Sequence, residues 1–201
     1  SGGKIHEAHS IGAFTGVSPL DMAAAYAAFS NGGYYNEPFS VNKIIFRSTG
    51  EEMERTDENY VIHRKAMSEA TAYMIADILQ DTVLNGGGTP KNVAVKTGTT
   101  NFTDNAIKQL GLPNHAVNDV WTVAYTSKYS VAVWYGYDTP SSKYYTSSGD
   151  THKDRLTSAV WKYIPKDTVG WKQPSSVVAV QVEKESYPAK LPSEYTPSDM
   201  I

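Results

Sequence analysis

The stretch Asn92-Val93-Ala94-Val95-Lys96-Thr97-Gly98-Thr99-Thr100 decides how this sequence is interpreted. Its first half consists of small apolar residues, which predicts a strand, and its second half is polar. Gly98 has no Cβ, so a ligand can approach the backbone closely at that position. Lys96 adds a positive charge, and the neighbouring threonines add hydroxyl groups. We therefore expect a strand whose polar end can contact a ligand.

Two more strands are predicted after this stretch, at 120–126 and 129–137, with a polar loop over 101–118 before them. Ser127-Lys128 suits a tight hairpin turn between the two strands, although it lacks the usual Gly or Asn. Upstream, Ser18 is a candidate N-cap and Pro19 a first helical residue, and Asn31-Gly32-Gly33 predicts the end of that helix.

The remaining periodicity predicts two helices and several short strands. A helix over 67–85 has Ala70, Met74 and Ile78 on one stripe beside Ile75 and Leu79, and a helix over 152–164 has an inner stripe of Leu156, Val160, Tyr163 and Ile164. Short strands are expected at 39–46, 51–55 and 60–63. This order of elements indicates an α+β fold, an antiparallel sheet flanked by helices.

Composition excludes several classes of function. The 201 residues include 18 Lys and Arg against 21 Asp and Glu, and the net charge of −3 argues against a nucleic-acid partner. The chain has no cysteine, which excludes disulfides, Cys-ligated zinc and a Cys nucleophile. No apolar run reaches the roughly 18 residues that span a bilayer. Because the chain opens with Ser1 rather than Met, we interpret it as a piece of a larger protein.

Lys96-Thr97-Gly98 resembles the Lys-Thr-Gly motif of the penicillin-binding protein transpeptidases, and the flanking segments resemble the bifunctional class A members. Val17-Ser18-Pro19-Leu20-Asp21-Met22-Ala23 looks like the start of the helix that precedes the motif strand in class A enzymes. Asp119-Val120-Trp121 and Ala132-Val133-Trp134-Tyr135-Gly136-Tyr137 look like the two strands beyond it. The resemblance covers residues 8–165, and the segment past 165 is less specific.

The resemblance implies the penicillin-binding protein and serine β-lactamase-like transpeptidase fold, incomplete in this chain. Residues 1–165 would be the C-terminal portion of the transpeptidase domain. Residues 166–201 would be a C-terminal extension or linker, in which 177–182 is compatible with one short strand.

The resemblance also implies roles for the residues of the motif. Lys96 would be catalytic, serving the substrate anion and the proton traffic around the nucleophile, and Thr99 would give one oxyanion-hole N–H. The substrate-binding residues would be Thr97, Gly98, Thr99, Thr100 and Asn101, with the hydroxyls of Thr97 and Thr99 holding the terminal carboxylate. Thr100 and Asn101 would lie at the mouth of the cleft. No metal or cofactor is implied.

The reaction that the resemblance implies is peptidoglycan DD-transpeptidation through a serine acyl-enzyme, which β-lactams trap. The parent would be anchored on the extracellular face of the bacterial cytoplasmic membrane and carry an upstream glycosyltransferase domain. One alternative is a DD-carboxypeptidase or β-lactamase of the same fold. A second, from another class, is a non-catalytic module that binds wall peptide.

The nucleophile of the family is not recognisable in this chain. Ser40-Val41-Asn42-Lys43 matches both Ser-x-x-Lys and Ser-x-Asn, but one serine cannot serve both roles. Ser40 also lies in a β-biased run, where positions three apart point to opposite faces. Ser1-Gly2-Gly3-Lys4 is a second match, weakened by its glycines. We therefore expect both motifs on an upstream fragment that associates with this chain.

Other candidate sites are weaker, and each has a simpler structural interpretation. His6 and His9 could ligate a metal, but a chain end is the simpler interpretation. Trp121 and Trp134 are expected in the core, and the tyrosines over 125–145 could line the cleft. Four aspartates could act as acid and base but are better explained as caps or loop residues: Asp81, Asp104, Asp119 and Asp150.

Overall fold

A four-stranded antiparallel sheet organises the chain in the computed structural model, which describes residues 4, 6–11, 16–54, 63–80 and 92–201. The helices are α1 (Pro19–Ser30), α2 (Glu69–Gln80), α3 (Asp104–Leu110) and α4 (His152–Trp161), with short 3-10 helices at Glu7–Ile11 and Ser198–Met200. The strands are β1 (Tyr34–Asn36), β2 (Lys43–Ile45), β3 (Glu52–Glu54), β4 (His63–Lys65), β5 (Ala94–Asn101), β6 (Ala116–Tyr125), β7 (Ser130–Gly136) and β8 (Thr146–Ser147).

The main sheet has the strand order β5-β6-β7, and β8 pairs with the start of β6. Both long pairings are antiparallel, with Thr97 opposite Thr122 in β6 and Trp121 opposite Trp134 in β7. The short strands form two separate antiparallel pairs, β1 with β4 and β2 with β3. The predicted antiparallel sheet and α+β class are confirmed.

Helices cover both faces of the sheet. On one face, Tyr125 and Ala94 pack with Ala76 of α2 and with the aromatic rings of Tyr26 and Phe29 on α1. On the other face, Val93, Val95 and Ala124 pack against Trp161 of α4. Because side chains alternate along a strand, Lys96, Gly98 and Thr100 share the first face, and Thr97 and Thr99 share the second.

Helix α1 begins and ends where its sequence predicts. The Ser18 hydroxyl accepts a hydrogen bond from the Asp21 backbone N–H at 3.1 Å, and Pro19 is the first helical residue. Asn31 is the C-cap, and the positive φ angles of Gly32 and Gly33, 59° and 88°, turn the chain into β1. A Cβ on Gly33 would lie 2.3 Å from the Met67 carbonyl oxygen, so this glycine is required.

The β6–β7 hairpin turns at Ser127-Lys128, as predicted, without Gly or Asn. The Thr126 hydroxyl accepts hydrogen bonds from the backbone N–H groups of Lys128 and Tyr129, at 3.1 and 3.0 Å. The Thr126 N–H also donates to the Tyr129 carbonyl at 2.8 Å. A threonine side chain therefore stabilises a turn that usually depends on a special backbone conformation.

The predicted inner stripes of two helices are wrong. In α2 the buried residues are Ala72 and Ala76, whereas Met74 and Ile78 are 46% and 68% exposed. The small alanines allow α2 to pack closely, which turns Met74 and Ile78 outwards, while Leu79 packs against the core beside Ala76.

In α4 the residues turned inward are polar. Lys153, Asp154 and Thr157 are buried, while Leu156, Val160 and Tyr163 are exposed. Asp154 faces inward because it has a hydrogen-bonding partner on the sheet, the Thr122 hydroxyl. The burial of a hydrogen-bonded polar group therefore decides which face of α4 is turned inward, against the apolar periodicity of its sequence.

Three other boundaries differ from the sequence-based expectation. The segment 101–118 contains helix α3, which Thr103 caps by accepting from the Ala106 N–H and which Gly111 ends in a left-handed conformation. The strand expected over 39–46 is confined to Lys43–Ile45, and the one expected at 60–63 is observed at His63–Lys65. Residues 60–62 and 81–85 lie outside the described part of the chain.

The C-terminal segment attaches to the sheet through Asp167. One carboxylate oxygen accepts from the Ser127 N–H at 3.0 Å and from the Ser127 hydroxyl, and the other accepts from the Val169 and Gly170 N–H groups at 3.0 and 3.1 Å. Trp171 then packs against Tyr125. Residues 177–182, whose sequence is compatible with one short strand, are irregular. Among the described residues, no helix is long and apolar enough to cross a membrane.

Asp167 predicts a pH-dependent contribution to stability. Burial alone would raise the pKa of this carboxyl group, but hydrogen bonds from the Ser127 hydroxyl and three backbone N–H groups outweigh it and lower the pKa from 3.8 to about 2. A lowered folded-state pKa stabilises the fold above the unfolded pKa, and this stabilisation is lost as the pH falls from 3.8 to about 2.

We expect Asp167→Asn to cost about 1–3 kcal/mol at pH 7, because donors that face the carboxylate lose an acceptor. The difference from the unsubstituted protein should shrink as the pH falls towards 2. Chemical denaturation of the whole protein at pH 7 and pH 3 measures it. A difference of equal size at the two pH values would show that Asp167 does not carry this charge-dependent stability.

Candidate active site

The polar half of β5 forms an exposed strip at the edge of the main sheet. Thr97 and Gly98 are half-buried, and the other members of the strip are exposed: Lys96, Thr99, Thr100 and Asn101. One edge of β5 pairs with β6, and no other strand of the described chain pairs with its second edge. The segment that the sequence singled out is therefore a strand with a free backbone edge, which can accept an extended ligand.

Among the residues that the structure describes, Lys96 has no carboxylate partner. Its ammonium group donates to the carbonyl oxygen of Thr97 at 2.6 Å, on the next residue of its own strand. The group is exposed, so its positive charge is accessible to an anion at the strand edge. This placement suits a lysine that serves a ligand rather than the fold.

Gly98 is not required by the packing of the sheet. A Cβ at this position would lie 3.5 Å from the Cβ of Trp121, an ordinary van der Waals contact. The glycine therefore leaves space that the described part of the fold does not fill, as expected where a ligand backbone approaches closely.

A buried polar cluster, formed by Thr122, Asp154 and Lys153, lies next to Thr97 on the α4 face of the sheet. Thr97 lies directly opposite Thr122 on the α4 face of the sheet, and the Thr122 hydroxyl donates to the Asp154 carboxylate at 3.0 Å. The Lys153 ammonium lies 3.1 and 3.2 Å from the two carboxylate oxygens. Asp154 is 1% exposed, so the ion pair is shielded from solvent, and the Thr122–Asp154 hydrogen bond joins α4 to β6 beside the site.

A second polar cluster lies where β5 ends. Asp119 is opposite Thr100, and its two carboxylate oxygens accept from the Trp134 indole N–H at 2.7 Å and from the Asn118 amide at 2.6 Å. The sequence-based interpretation of Asp119 as a cap or loop residue is wrong, since it lies within β6. The strand position agrees with the resemblance of Asp119-Val120-Trp121 to a strand beyond the motif, whereas the contact with Trp134 could not be predicted from the sequence.

The serines that match the nucleophile pattern do not form a site. Ser40 lies in an exposed bend outside any helix, and Lys43 forms an ion pair with Glu52 at 2.9 Å. That lysine is therefore engaged on the neighbouring strand β3, away from Ser40. Ser1, Gly2 and Gly3 of the second match lie outside the described residues.

The other candidates take structural roles. His6 and His9 stack edge to face 5.3 Å apart, and the part of the chain described here contains no group of three or more metal-ligating side chains. Asp104 lies in the first turn of α3, and Asp150 accepts from the His152 N–H at 2.8 Å; Asp81 is outside the described residues.

The aromatic candidates divide between the core and the surface. Tyr125 is fully buried, and burial together with Tyr26 raises its pKa, so it does not line a cleft. Tyr137 and Tyr144 are exposed and lie 6.0 Å apart. Trp121 and Trp134 face each other across neighbouring strands and are half-buried.

The arrangement of the sheet and helices matches a known fold. The chain superimposes on the PonA1 protein of Mycobacterium tuberculosis, solved in complex with penicillin V, with a TM-score of 0.51 and 24% identity, over 75% of this chain and 40% of that one. The fold is that of the penicillin-binding proteins, an antiparallel sheet between helices with the Lys-Thr-Gly segment on a strand.

Sequence comparison narrows this class to one family. The family model described as the penicillin-binding protein transpeptidase domain matches residues 4–160. The chain therefore belongs to the transpeptidase domain family of the penicillin-binding proteins, as the resemblance indicated.

Relatives within this family are similar over much of the chain. Penicillin-binding protein 1A/1B of Bacillus subtilis is 40% identical over 206 aligned residues, covering 98% of this chain. Penicillin-binding protein 1A of Streptococcus oralis is 42% identical over 150 residues, covering 67% of this chain. The chain spans 22% of the length of each of these two relatives.

Proposed function

We propose that this chain forms one wall of a peptidoglycan DD-transpeptidase site, in which stem peptides are cross-linked and β-lactams bind. The observation that supports this most is the free edge of β5, which carries Lys96, Thr97, Gly98 and Thr99 on one exposed strand. An extended peptide ending in D-Ala-D-Ala can add to such an edge through main-chain hydrogen bonds.

The residues of the strip take separate roles in this proposal. The hydroxyls of Thr97 and Thr99 hold the terminal carboxylate, with the charge of Lys96 nearby. The Thr99 N–H is one oxyanion-hole donor for the scissile carbonyl. Since the carboxylate lies near Thr97 and the carbonyl near the Thr99 N–H, the rest of the donor peptide runs towards Thr100 and Asn101. These two residues then contact the part of the ligand that differs between substrates.

The chemistry needs a serine that this chain does not supply. The serine oxygen attacks the D-Ala-D-Ala amide carbonyl, the C–N bond breaks, and D-Ala leaves with a proton on its amine. An amine of a second stem peptide then attacks the acyl-enzyme ester and releases the serine. Lys96 acts beside the nucleophile as part of the proton path.

We place the serine and the Ser-x-Asn motif on an upstream part of the same protein, which covers exposed apolar side chains of α1 and α2. Leu20, Met74 and Ile78 are candidates for that contact because they are large, apolar and exposed. In this proposal the parent also carries a glycosyltransferase domain and is anchored on the extracellular face of the cytoplasmic membrane. The transpeptidase portion ends at residue 165, with 166–201 as an extension docked through Asp167.

The main rival uses the same site with water as the acceptor, which would make the protein a DD-carboxypeptidase or β-lactamase. A non-catalytic module that binds wall peptide is the second rival. Supplying the whole protein with a donor peptide and an amine acceptor separates these three. Cross-linked product supports the transpeptidase, free D-Ala without cross-links the hydrolase, and no turnover the binding module.

The location of the nucleophile gives a direct test of the proposal. When the whole protein reacts with a penicillin and is then digested, we expect the penicilloyl group on a serine outside residues 1–201. Peptide mass spectrometry maps the modified residue. The physical reason is that Ser40 is exposed in a bend and its candidate partner Lys43 is paired with Glu52.

Two outcomes would contradict the assignment. An adduct on Ser40 or Ser1 would place the nucleophile in this chain and overturn the roles proposed here. A protein that forms no adduct with any penicillin would remove the acyl-enzyme from the proposal.

A further inference from the structure

The β5–β6 ladder ends in a bulge beside the proposed site. Thr100 lies opposite Asp119, but the next residue, Asn101, lies opposite Val117. Asn118 is therefore an extra residue on β6 without an opposing residue on β5. A bulge bends the strand that carries it, here β6, and increases the local twist of the pair. Thr100 and Asn101 pair with this part of β6, so the placement of the end of β5 depends on how the bulge is held.

Asp119 holds the bulge from two sides. It accepts from the amide of the bulged residue Asn118 at 2.6 Å and from the Trp134 indole N–H on β7 at 2.7 Å. One carboxylate therefore connects the bulge to a large, half-buried ring on the next strand.

Gly136 makes room for this connection. A Cβ on Gly136, which lies opposite Asp119, would be 2.7 Å from the Trp134 ring and 3.2 Å from the Asn118 carbonyl oxygen. The ring of Trp134 consequently lies along its own strand over the glycine and reaches Asp119. The glycine, the tryptophan and the aspartate form one unit that fixes the end of the ladder.

We propose that Asp119 is a positioning residue that sets the direction of Thr100 and Asn101 and thereby determines selectivity for the acyl side chain of the ligand. This inference rests on the proposed function, because the ligand runs past Thr99 towards these two residues only if its carboxylate lies near Thr97. Asp119 touches neither the carboxylate nor the scissile carbonyl in that arrangement. Its effect is therefore selective: it alters contacts with the variable part of the ligand and spares the common part.

The test compares two penicillins on the whole protein. Penicillin V has a long acylamino side chain, and 6-aminopenicillanic acid has the same fused rings and carboxylate without it. For Asp119→Ala, we expect the acylation rate constant for penicillin V to fall about tenfold relative to that for 6-aminopenicillanic acid, because contacts beyond the reacting centre are misplaced.

Two further variants separate positioning from charge and from poor folding. Asp119→Asn should recover most of the selectivity, since its amide oxygen can accept from Trp134 and its NH₂ group can donate to a rotated Asn118 amide. Trp134→Phe keeps an aromatic ring, although a smaller one, and loses the indole N–H donor, so it should lower the selectivity in the same direction even if Asp119→Ala folds poorly. Asp167→Ala is the control for general destabilisation, because Asp167 binds Ser127 just beyond the opposite end of β6. It should leave the ratio of the two acylation rate constants unchanged.

The outcomes distinguish this inference from the proposed function. If the unsubstituted protein reacts with both penicillins but Asp119→Ala and Trp134→Phe leave the ratio unchanged, the inference is wrong and the proposed function stands. If Asp119→Asn behaves like Asp119→Ala, the charge matters rather than the hydrogen bonds, and positioning is refuted. If the unsubstituted protein reacts with neither penicillin, the proposed function is wrong and this inference is wrong with it.

Discussion

Replacing Lys96 with methionine should slow acylation of the whole protein by a β-lactam by roughly 10²–10⁴-fold, the range for loss of a group that transfers protons in the transition state. Methionine keeps the length of the side chain and removes the ammonium group. The rate constant of acylation, measured with a labelled penicillin under single-turnover conditions, gives the effect.

The fold should tolerate this substitution. The Lys96 ammonium is exposed and, within the described part of the chain, donates a hydrogen bond to the Thr97 carbonyl oxygen. Surface changes of this kind alter the free energy of unfolding by no more than about 0.5 kcal/mol. Lys43→Met is the matched control: another exposed lysine, in a surface ion pair with Glu52 and in the Ser40-x-x-Lys43 match. Loss of acylation in Lys43→Met with normal rates in Lys96→Met would exchange the roles assigned to the two lysines.

Replacing Asp154 with alanine should lower the free energy of unfolding by about 3–5 kcal/mol, because removing one partner of a buried ion pair leaves the other charge uncompensated. The ammonium of Lys153 would be left in a buried environment, and the Thr122 hydroxyl would lose its acceptor. Chemical denaturation at neutral pH measures the change.

A paired substitution is the control for this prediction. Lys153→Met together with Asp154→Asn removes both charges, keeps the side-chain volumes close to the original ones and leaves an amide oxygen as acceptor for the Thr122 hydroxyl, so it should recover most of the lost stability. If Asp154→Ala costs less than about 1 kcal/mol, water or another group compensates Lys153, and the Thr122–Asp154 hydrogen bond does not anchor α4. Thr122 donates to Asp154 and lies opposite Thr97, so Asp154→Ala should also slow acylation.

The sequence predicted those parts of the fold whose signals are local. Ser18-Pro19 and Asn31-Gly32-Gly33 predicted both ends of α1 because capping and positive φ act within a few residues. The polar end of β5 was identifiable because Lys96, Thr97 and Gly98 are unusual residues for the end of an apolar strand. Whether these side chains bind the ligand stays a prediction.

What the sequence could not predict depends on partners that are distant along the chain. Asp154 is buried because Thr122, 32 residues away, donates to it, and periodicity alone places Leu156 inside instead. The contacts of Asp119 with Trp134 and with the bulged residue Asn118 depend on the strand register, which the sequence does not give. The α2 stripe was wrong because Ala72 and Ala76 pack against the sheet more closely than Met74 can.

The edge of β5 that no other strand of the described chain pairs with also bears on self-association of the protein. An unpaired strand edge is a template on which other chains can assemble, and regular, apolar edges are the most prone to do so. Here the edge carries the ammonium of Lys96 and exposes hydroxyl and amide side chains, and the regular pairing of β5 with β6 covers only seven residues, Ala94 to Thr100, before the Asn118 bulge on β6. The same polar, short strip that suits a peptide in the proposed function is a poor seed for aggregation.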